Sequence, residues 1–204
     1  MHPNPVFRTT PRERNVAFAR DAAFGTMAVA GPDGPLMSHV PFVLNEQGTS
    51  AELHLVRSNP IARLGREALQ VRLAVSGPHS YVSPDWYGIE DQVPTWNYVA
   101  VHLIGELEPL PVAELEPFLA RQSAFFESRL APKRAWTMDK MTEEARSRLL
   151  RMILPYRLNV LEVDGTWKLG QNKDEAARLS AASEMQSHGF GTEPGVMARL
   201  MRDG

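Results

Sequence analysis

Two tight turns near the start of the chain constrain its fold more than any other feature. Three short apolar segments, 24–30, 36–44 and 51–57, are separated only by GPDG (31–34) and NEQG (45–48). Asp-Gly is typical of a two-residue hairpin turn, and neither gap has room for the crossover helix that joins parallel strands. The sequence therefore predicts consecutive antiparallel strands and disfavours a doubly wound parallel sheet.

The remaining elements are predicted from apolar periodicity and from capping residues. Further strands are expected at 69–76, 96–107, 156–163 and 166–169, with a loop at 77–94 and a turn at Asp164-Gly165. Helices are expected at 11–22, from Asn59-Pro60 through Arg66, across 112–153 with a break near Ala131-Pro132, and at 173–187 before a glycine-rich tail. This pattern predicts a mainly β protein, a closed or nearly closed antiparallel barrel with α additions. We expect one domain over residues 1–204, with a helical insertion at about 112–154 and a C-terminal helix at about 173–202.

The composition excludes several classes of site. The chain has 204 residues, a formal net charge of -2 and no cysteine, so disulfides, thiolate metal sites and a cysteine nucleophile are excluded. It lacks the basic footprint of a dedicated nucleic-acid binder, so DNA binding is only weakly supported. The first residues lack the apolar core of a signal peptide, and no apolar run reaches the ~20 residues that span a bilayer. We therefore expect a cytoplasmic protein.

The second predicted strand contains SHVPF (38–42), with a proline inside the strand. Pro41 has no N–H to donate, which places the strand at a sheet edge or leaves a gap in its ladder. A gap would leave the backbone groups from Ser38 to Val40 without partners. A flat heterocycle with its own donors and acceptors could pair with them, and a solvated edge is the alternative.

The segment RSNPIARLGR (57–66) predicts the start of a helix surrounded by hydrogen-bond donors. Asn59 is the expected cap of a helix that opens with proline, and the first N–H groups of such a helix are free. Arg57, Ser58 and Arg63 lie close by in the sequence. A helix N-terminus with arginine and a hydroxyl suits phosphate, and an ordinary solvated helix is the alternative.

Aromatic residues with a polar group are concentrated in the predicted loop and at the start of the following strand. Five of the eight Trp and Tyr residues lie between positions 81 and 98. Such rings suit a pocket rim or an interface, and core packing is the alternative. Along the strand, Thr95 and Asn97 fall on one face and Trp96 and Tyr98 on the other. The pattern alone leaves open which of these faces is buried.

The histidines show no spacing typical of a metal site. Neither H-x-H nor H-E-x-x-H occurs, so no metal is predicted. His79 and His188 are conceivable axial ligands for haem, although structural histidines are the simpler interpretation. The chain also lacks G-x-S-x-G, a P-loop and G-x-G-x-x-G, and no catalytic acid–base pair is indicated.

Several motifs together resemble one family along the whole chain. In order they are MHPNPVF, FGTMAV, SHVPF, HLVRSNP, GPHSYVSPDWY, VPTWNYVAVHLIG and KLGQN. This series resembles the PaiB family, FMN-binding proteins regarded as negative transcriptional regulators. The resemblance implies a split β-barrel of the flavin-reductase and pyridoxamine-oxidase type, an antiparallel Greek-key barrel with flanking helices. It also implies a homodimer with FMN at the subunit interface.

The resemblance further implies which residues contact FMN. For the phosphate it indicates Arg57, Ser58 and Asn59. For the isoalloxazine ring it indicates Ser38, His39 and Val40. The far wall of the site would be formed, from the same or the other subunit, by Trp96, Asn97, Lys168 and Gln171. The chain departs from the family motif K-L-S-Q-N by having Gly170 at the serine position.

The leading functional hypothesis is accordingly an FMN-binding homodimer of the PaiB type that regulates transcription. The alternative is a flavin-dependent oxidoreductase that acts on a small molecule or on NAD(P)H. Haem binding or degradation is a weaker hypothesis, and the barrel alone cannot choose among these functions.

Overall fold

The computed structural model describes residues 1–64 and 67–203. Its seven strands are β1 Phe24–Gly31, β2 Gly34–Leu44, β3 Ser50–Val56, β4 Leu69–Val82, β5 Thr95–Pro109, β6 Ile153–Lys168 and β7 Gly191–Thr192. Its α-helices are α1 Arg12–Ala22, α2 Leu115–Glu127, α3 Glu143–Leu150, α4 Glu175–His188 and α5 Pro194–Asp203. Short 3-10 turns lie at Pro5–Phe7, Ile61–Arg63, Pro84–Tyr87, Val112–Glu114, Ser128–Leu130 and Met138–Lys140.

The strands form one sheet in the order β1-β2-β3-β6-β5-β4-β7. An additional antiparallel pairing joins β1 to β4, so the order of the first six strands closes on itself as in a β-barrel. The β1–β2 hairpin pairs Phe24 with Pro41 and Gly31 with Gly34, which confirms the predicted Asp-Gly turn. The predicted fold class, a mainly β antiparallel barrel with α additions, is confirmed.

By its contacts the chain forms two compact units. The terminal unit comprises Met1–Asn15, Val75–His102 and Asp164–Gly204, and the central unit comprises Val16–Ala74 and Leu103–Val163. The expectation of one domain over residues 1–204 remains a prediction.

The core of the central unit is apolar and follows the strand alternation. Its fully buried side chains come from several strands, from the turn at Ile61–Arg63 and from α2, and the largest are Met27, Phe42, Leu44, Leu53, Ile61, Leu73, Leu103, Leu107, Phe118 and Leu158. Alternate residues of β2, β3 and β5 are buried, as the period of two requires for a sheet with one face against the core. The helical insertion has the predicted break, and the Thr142 hydroxyl caps α3 by accepting from the Ala145 N–H at 3.3 Å.

Strand β4 does not end where the sequence predicts. Gly77 and Pro78 were expected to close it, but the strand continues through them to Val82. The continuation is stabilised from far along the chain, because β7 pairs His79 with Thr192. The long-range pairing therefore overrides the local tendency of glycine and proline to end a strand.

Strand β6 is continuous, and the predicted turn at Asp164-Gly165 is wrong. Gly165 is required here for a close approach: a Cβ at this position would lie 2.2 Å from Oδ1 of Asn15. The same Oδ1 accepts a hydrogen bond from the indole N–H of Trp167 at 2.7 Å. Asp164 pairs with Arg8 at 2.9 Å instead of occupying a turn.

Two further differences concern the helices. The glycine-rich tail contains β7 and a second helix, α5, so the C-terminal segment is not the single helix expected at about 173–202. After Asn59 there is one 3-10 turn, Ile61–Arg63, and the expected helix end at Arg66 lies outside the described residues.

In the described part of the chain, no helix is long and apolar enough to cross a membrane.

Candidate functional site

The ten residues that the sequence analysis assigns to a cofactor fall into two groups. Those from Ser38 to Val40 and from Arg57 to Asn59 belong to the central unit. The remaining four, Trp96, Asn97, Lys168 and Gln171, belong to the terminal unit. Each group therefore lies within a single unit.

The first feature of the central unit is an open edge of β2. This strand pairs with β1 along Gly34–Pro41, but in the described chain its ladder with β3 covers only Phe42–Leu44. The predicted gap at Pro41 is therefore confirmed. The Phe42 N–H donates to the Ala23 carbonyl at 3.0 Å. Because alternate residues of an antiparallel strand face the same neighbour, the N–H and C=O of His39 point away from β1, towards the open edge.

The open edge is bordered by aromatic surface. The rings of Phe24 and His39 are stacked with centroids 6.4 Å apart, and both side chains are exposed. A planar heterocycle could pair with the His39 backbone while its face lies near these rings. The donors and acceptors at this edge thus fit the polar rim of a flavin.

The turn after β3 is fixed to β2 by one side chain. The Asn59 amide donates to the Ser38 hydroxyl at 2.9 Å, and the Asn59 Oδ1 accepts from the Ile61 N–H at 2.9 Å. Arg57 and Ser58, the two preceding residues, are exposed. The 3-10 turn that follows is too short for a large helix dipole, so an anion here would depend mainly on the charge of Arg57 and the hydroxyl of Ser58.

A cavity of about 700 Å³ adjoins Arg57. Its volume lies within the range of about 300–1,000 Å³ typical of small-molecule sites. It is lined by Arg57, Ala62, Pro109, Leu110, Pro111, Val112, Leu154, Pro155 and Tyr156. Burial raises the pKa of Tyr156, and the charge of Arg57 offsets part of that effect. The Arg57 Nε–H donates to the Arg151 carbonyl at 2.6 Å, which anchors the side chain beside the cavity.

In the terminal unit, the two faces at the start of β5 are now distinguished. Asn97 is 1% exposed, whereas Trp96 is 42% exposed. Trp96 lies in an aromatic cluster with His79, Tyr81 and Phe190, whose ring centroids are 5.7, 6.3 and 5.6 Å from its own. In this exposed aromatic cluster Trp96 and Phe190 are exposed, and His79 and Tyr81 are half-buried. The polar face of Thr95 and Asn97 therefore points inward, and the aromatic face points to solvent.

Lys168 is the last residue of β6, and Gln171 lies in the turn that follows it. The Lys168 ammonium donates to the Thr95 hydroxyl. The Gln171 amide donates to the carbonyls of Trp167 and Val6, and its Oε1 accepts from the Leu169 N–H. Gln171 thus shapes the turn, and its contact with a cofactor remains a prediction.

Gly170 explains the departure from the family motif. Its φ of +84° lies in the left-handed region, which favours glycine over serine. A Cβ would meet no atom closer than 3.6 Å, so backbone conformation and not space selects glycine here.

The histidines considered for haem have ordinary surroundings. His79 belongs to the aromatic cluster, with its Nδ1 3.4 Å from the Gly77 carbonyl. His188 is exposed at the end of α4, 4.0 Å from Glu184. No group of three metal-ligating side chains occurs among the residues that the structure describes.

The structure places two further side chains, Lys173 and Phe190, beside the predicted ones, and the sequence analysis had indicated neither. Tyr87, Thr95 and Lys173 line a small cavity with Asn97 and Lys168. Phe190, from the glycine-rich tail, contacts Trp96. For Lys173 a signal existed, because the chain has only four lysines and two of them lie in KLGQNK (168–173).

Residues 1–162 match the family model described as "Putative FMN-binding domain". The chain belongs to this family. It is 28% identical to "Protease synthase and sporulation protein PAI 2" of Bacillus subtilis (strain 168), over 100% of this chain and 97% of that relative. It is also 26% identical to an uncharacterized protein of Aspergillus fumigatus, over 88% of this chain and 87% of that protein.

Solved structures show the same fold at low identity. The FAD and heme binding protein from Mycobacterium smegmatis has a TM-score of 0.57 at 18% identity, covering 79% of this chain and 73% of that one. The flavocytochrome Anf3 from Azotobacter vinelandii has a TM-score of 0.55 at 12% identity, covering 82% and 72%. The resemblance to PaiB, the split-barrel fold and FMN as the cofactor of this FMN-binding family are confirmed.

Proposed function

We propose that this member of the FMN-binding family holds its flavin at the open edge of β2. The observation that carries the proposal is the Asn59–Ser38 hydrogen bond, which ties the turn bearing Arg57 to the strand that bears the unpaired edge. The residues from Ser38 to Val40 would contact the ring, and those from Arg57 to Asn59 would contact the phosphate. The far wall would include Trp96, Asn97, Lys168 and Gln171, from the same or the partner subunit.

The roles of these residues follow from their chemistry. His39 offers a backbone donor and acceptor to the polar rim of the ring. Arg57 offers a permanent positive charge and several N–H donors to a phosphate. Through its hydrogen bond to Ser38, Asn59 keeps the turn that carries Arg57 at a fixed distance from the open edge of β2. When bound, FMN supplies one- and two-electron redox chemistry.

The proposal is tested by titrating the purified chain with FMN and with riboflavin, following absorbance and quenching of flavin fluorescence. Saturable quenching by FMN, with weaker binding of riboflavin, is the expected result. Absence of quenching at micromolar protein and flavin would refute the cofactor assignment.

We further propose a homodimer in which the exposed aromatic cluster contacts the partner subunit. Trp96 is 42% and Phe190 is 59% exposed, although both are large rings in mutual contact. Clustered exposed rings are typical of interaction surfaces. Analytical ultracentrifugation gives the oligomeric state, and a monomer at tens of micromolar would contradict the proposal.

A role in regulating transcription is proposed from the similarity to the Bacillus subtilis relative, whose name refers to protease synthase and sporulation. With a net charge of -2, we expect weak and salt-sensitive DNA binding at most. Tight retardation of promoter fragments at physiological salt would contradict that expectation.

The alternative, a flavin-dependent oxidoreductase, is tested on the same FMN-loaded protein. Steady oxidation of NADH or NADPH would favour it over a purely regulatory role. The cytoplasmic location stays a prediction.

A further inference from the structure

A small polar cavity in the terminal unit is lined by two residues of the proposed far wall, Asn97 and Lys168, and by side chains that have no role in the proposed flavin site. Its volume is about 120 Å³, well below the range of about 300–1,000 Å³ typical of drug-sized ligands. It is lined by Tyr87, Val93, Thr95, Asn97, Lys168, Asn172 and Lys173. We call it the two-lysine pocket. It has room for a few waters or one tetrahedral anion, but not for an isoalloxazine ring.

In the part of the chain that the structure describes, no carboxylate compensates the positive charge of the pocket. The Lys168 ammonium donates to the Thr95 hydroxyl, and the Lys173 ammonium donates to the Gln92 side-chain oxygen, both neutral groups. Within residues 1–64 and 67–203, neither lysine forms an ion pair. The neighbouring carboxylate of Asp174 instead caps α4 by accepting from the Ala177 N–H at 2.8 Å.

The two lysines are close enough to affect each other. Burial lowers the pKa of Lys168, and the charge of Lys173 lowers it further. Two half-buried ammonium groups that line the same cavity repel, and a bound anion would relieve that repulsion. The aromatic rings beneath them, Phe7 under Lys168 at 5.8 Å and Tyr87 under Lys173 at 5.2 Å, offer only weak cation–π attraction.

A buried amide on the pocket wall lacks one partner. Asn97 is 1% exposed, and its Nδ2 donates to the thioether of Met201 at 3.3 Å, a weak acceptor. Among the described residues, its Oδ1 has no hydrogen-bond partner. Buried polar atoms are nearly always satisfied, so the ligand of this pocket should supply a donor to Oδ1 as well as acceptors to the lysines.

The turn that carries both lysines is built to a fixed shape. Gln171 makes three hydrogen bonds within it and to the N-terminal segment, and the Lys173 N–H donates to the Gly170 carbonyl at 2.9 Å. The left-handed Gly170 closes the turn. Such preorganisation reduces the entropy lost when a ligand binds.

We propose that the two-lysine pocket binds a small oxyanion that carries a hydroxyl, such as hydrogen phosphate or the monoanion of a phosphate monoester. The anionic oxygens accept from Lys168 and Lys173, and the hydroxyl donates to Oδ1 of Asn97. Sulfate has a similar size and charge but no hydroxyl at neutral pH, so it makes a matched probe. This site goes beyond the proposed flavin function, which places the FMN phosphate at Arg57, Ser58 and Asn59.

The test uses full-length protein labelled with ¹³C at Cε of lysine, because the chain has only Lys133, Lys140, Lys168 and Lys173. Inorganic phosphate and sulfate are titrated at constant ionic strength. We expect saturable shifts of the Lys168 and Lys173 signals alone, with phosphate about tenfold tighter than sulfate. Lys168→Met and Lys173→Gln should each weaken phosphate binding about tenfold, whereas the control Lys140→Met should not. Asn97→Leu should remove the preference for phosphate over sulfate.

The source of the oxyanion is decided by repeating the titration on FMN-loaded protein. If FMN prevents the phosphate shifts and Lys168→Met weakens FMN but not riboflavin, the oxyanion is the phosphate of the cofactor. If phosphate still binds, it is a separate ligand. Equal shifts at all four lysines, no saturation, or sulfate binding as tightly as phosphate would overturn the proposal. Flavin binding is measured separately by absorbance, so its failure would leave this result interpretable.

Discussion

The side-chain amide of Asn59 donates a hydrogen bond to the hydroxyl of Ser38 at 2.9 Å, across 21 positions of the sequence. Through its Oδ1 the same side chain also fixes the N–H of Ile61 at 2.9 Å. One residue therefore sets the position of the turn that carries Arg57 relative to the open edge of β2. The first two predictions depend on this relationship.

Replacing Asn59 by alanine should weaken FMN binding about tenfold, because both hydrogen bonds are lost and Arg57 is no longer held in place. The free energy of unfolding should fall by about 1–2 kcal/mol. Flavin fluorescence quenching and urea unfolding measure the two effects. Ser38→Ala should reproduce part of the loss of affinity, and the exposed helical variant Ser180→Ala should change neither quantity.

Replacing Arg57 by alanine should weaken the binding of FMN but not of riboflavin, because only FMN carries the phosphate. A charge-assisted hydrogen bond contributes about 1.5–3 kcal/mol, so the loss should be about tenfold or more. Parallel titrations with the two flavins measure it. Arg199→Ala, at an exposed position of α5, serves as the control, and an equal loss for both flavins would move the phosphate elsewhere.

Stability should fall as the pH drops below about 6.5, the ordinary pKa of histidine, because of His54. Burial lowers the pKa of His54, and the neighbouring Gln122 side chain offsets part of that effect. The unfolded chain therefore binds the proton more readily than the folded chain, which favours unfolding in acid. Urea unfolding between about pH 5 and pH 8 should show this slope, and His54→Gln should reduce it. His188→Gln, at an exposed site, should leave it unchanged.

Restoring the serine of the family motif by Gly170→Ser should destabilise the protein by about 1 kcal/mol, because a φ of +84° is unfavourable for a residue with a Cβ. No steric clash adds to this cost, since the nearest atom would be 3.6 Å away. Gly170→Asn should cost less, because asparagine tolerates the left-handed region better. Thermal unfolding of the two variants makes the comparison, and equal losses would argue against a backbone origin.

Trp96→Ala should weaken the proposed homodimer while changing the stability of the folded subunit little, because the ring is 42% exposed. Phe190→Ala, which removes a second ring of the same cluster, should act in the same direction. Sedimentation velocity over a concentration series measures the dissociation constant. Leu130→Ala, at another exposed apolar residue, is the control, and an unchanged dimer in both aromatic variants would place the interface elsewhere.

Much of the fold could be predicted because its signals are local. Hairpin turns, proline at helix starts and the period of two along β5 depend on a few neighbouring residues. The gap at Pro41 is also local, since an imino acid has no N–H to donate whatever surrounds it. From these features the strands, the open edge of β2 and most of the helices could be predicted.

The errors arose where distant segments override local signals. Gly77 and Pro78 would end an isolated strand, but β7 pairs with the residues that follow them. Asp164-Gly165 would form a turn in an isolated hairpin, but Asn15 occupies the space that any other side chain would need. In both cases the deciding partner lies more than a hundred positions away in the sequence.

For the candidate site, the sequence by itself determined which chemical groups are present: the unpaired edge after Ser38, the arginine at 57, the rings around 96 and the lysine at 168. Only the tertiary structure decided that Asn97 is buried and Trp96 exposed, and that Lys173 joins Lys168 with no compensating carboxylate among the described residues. The alternation of side chains along a strand shows which residues share a face, but not whether that face is buried or exposed. Those environments depend on the packing of segments that are far apart in the chain, which no local pattern encodes.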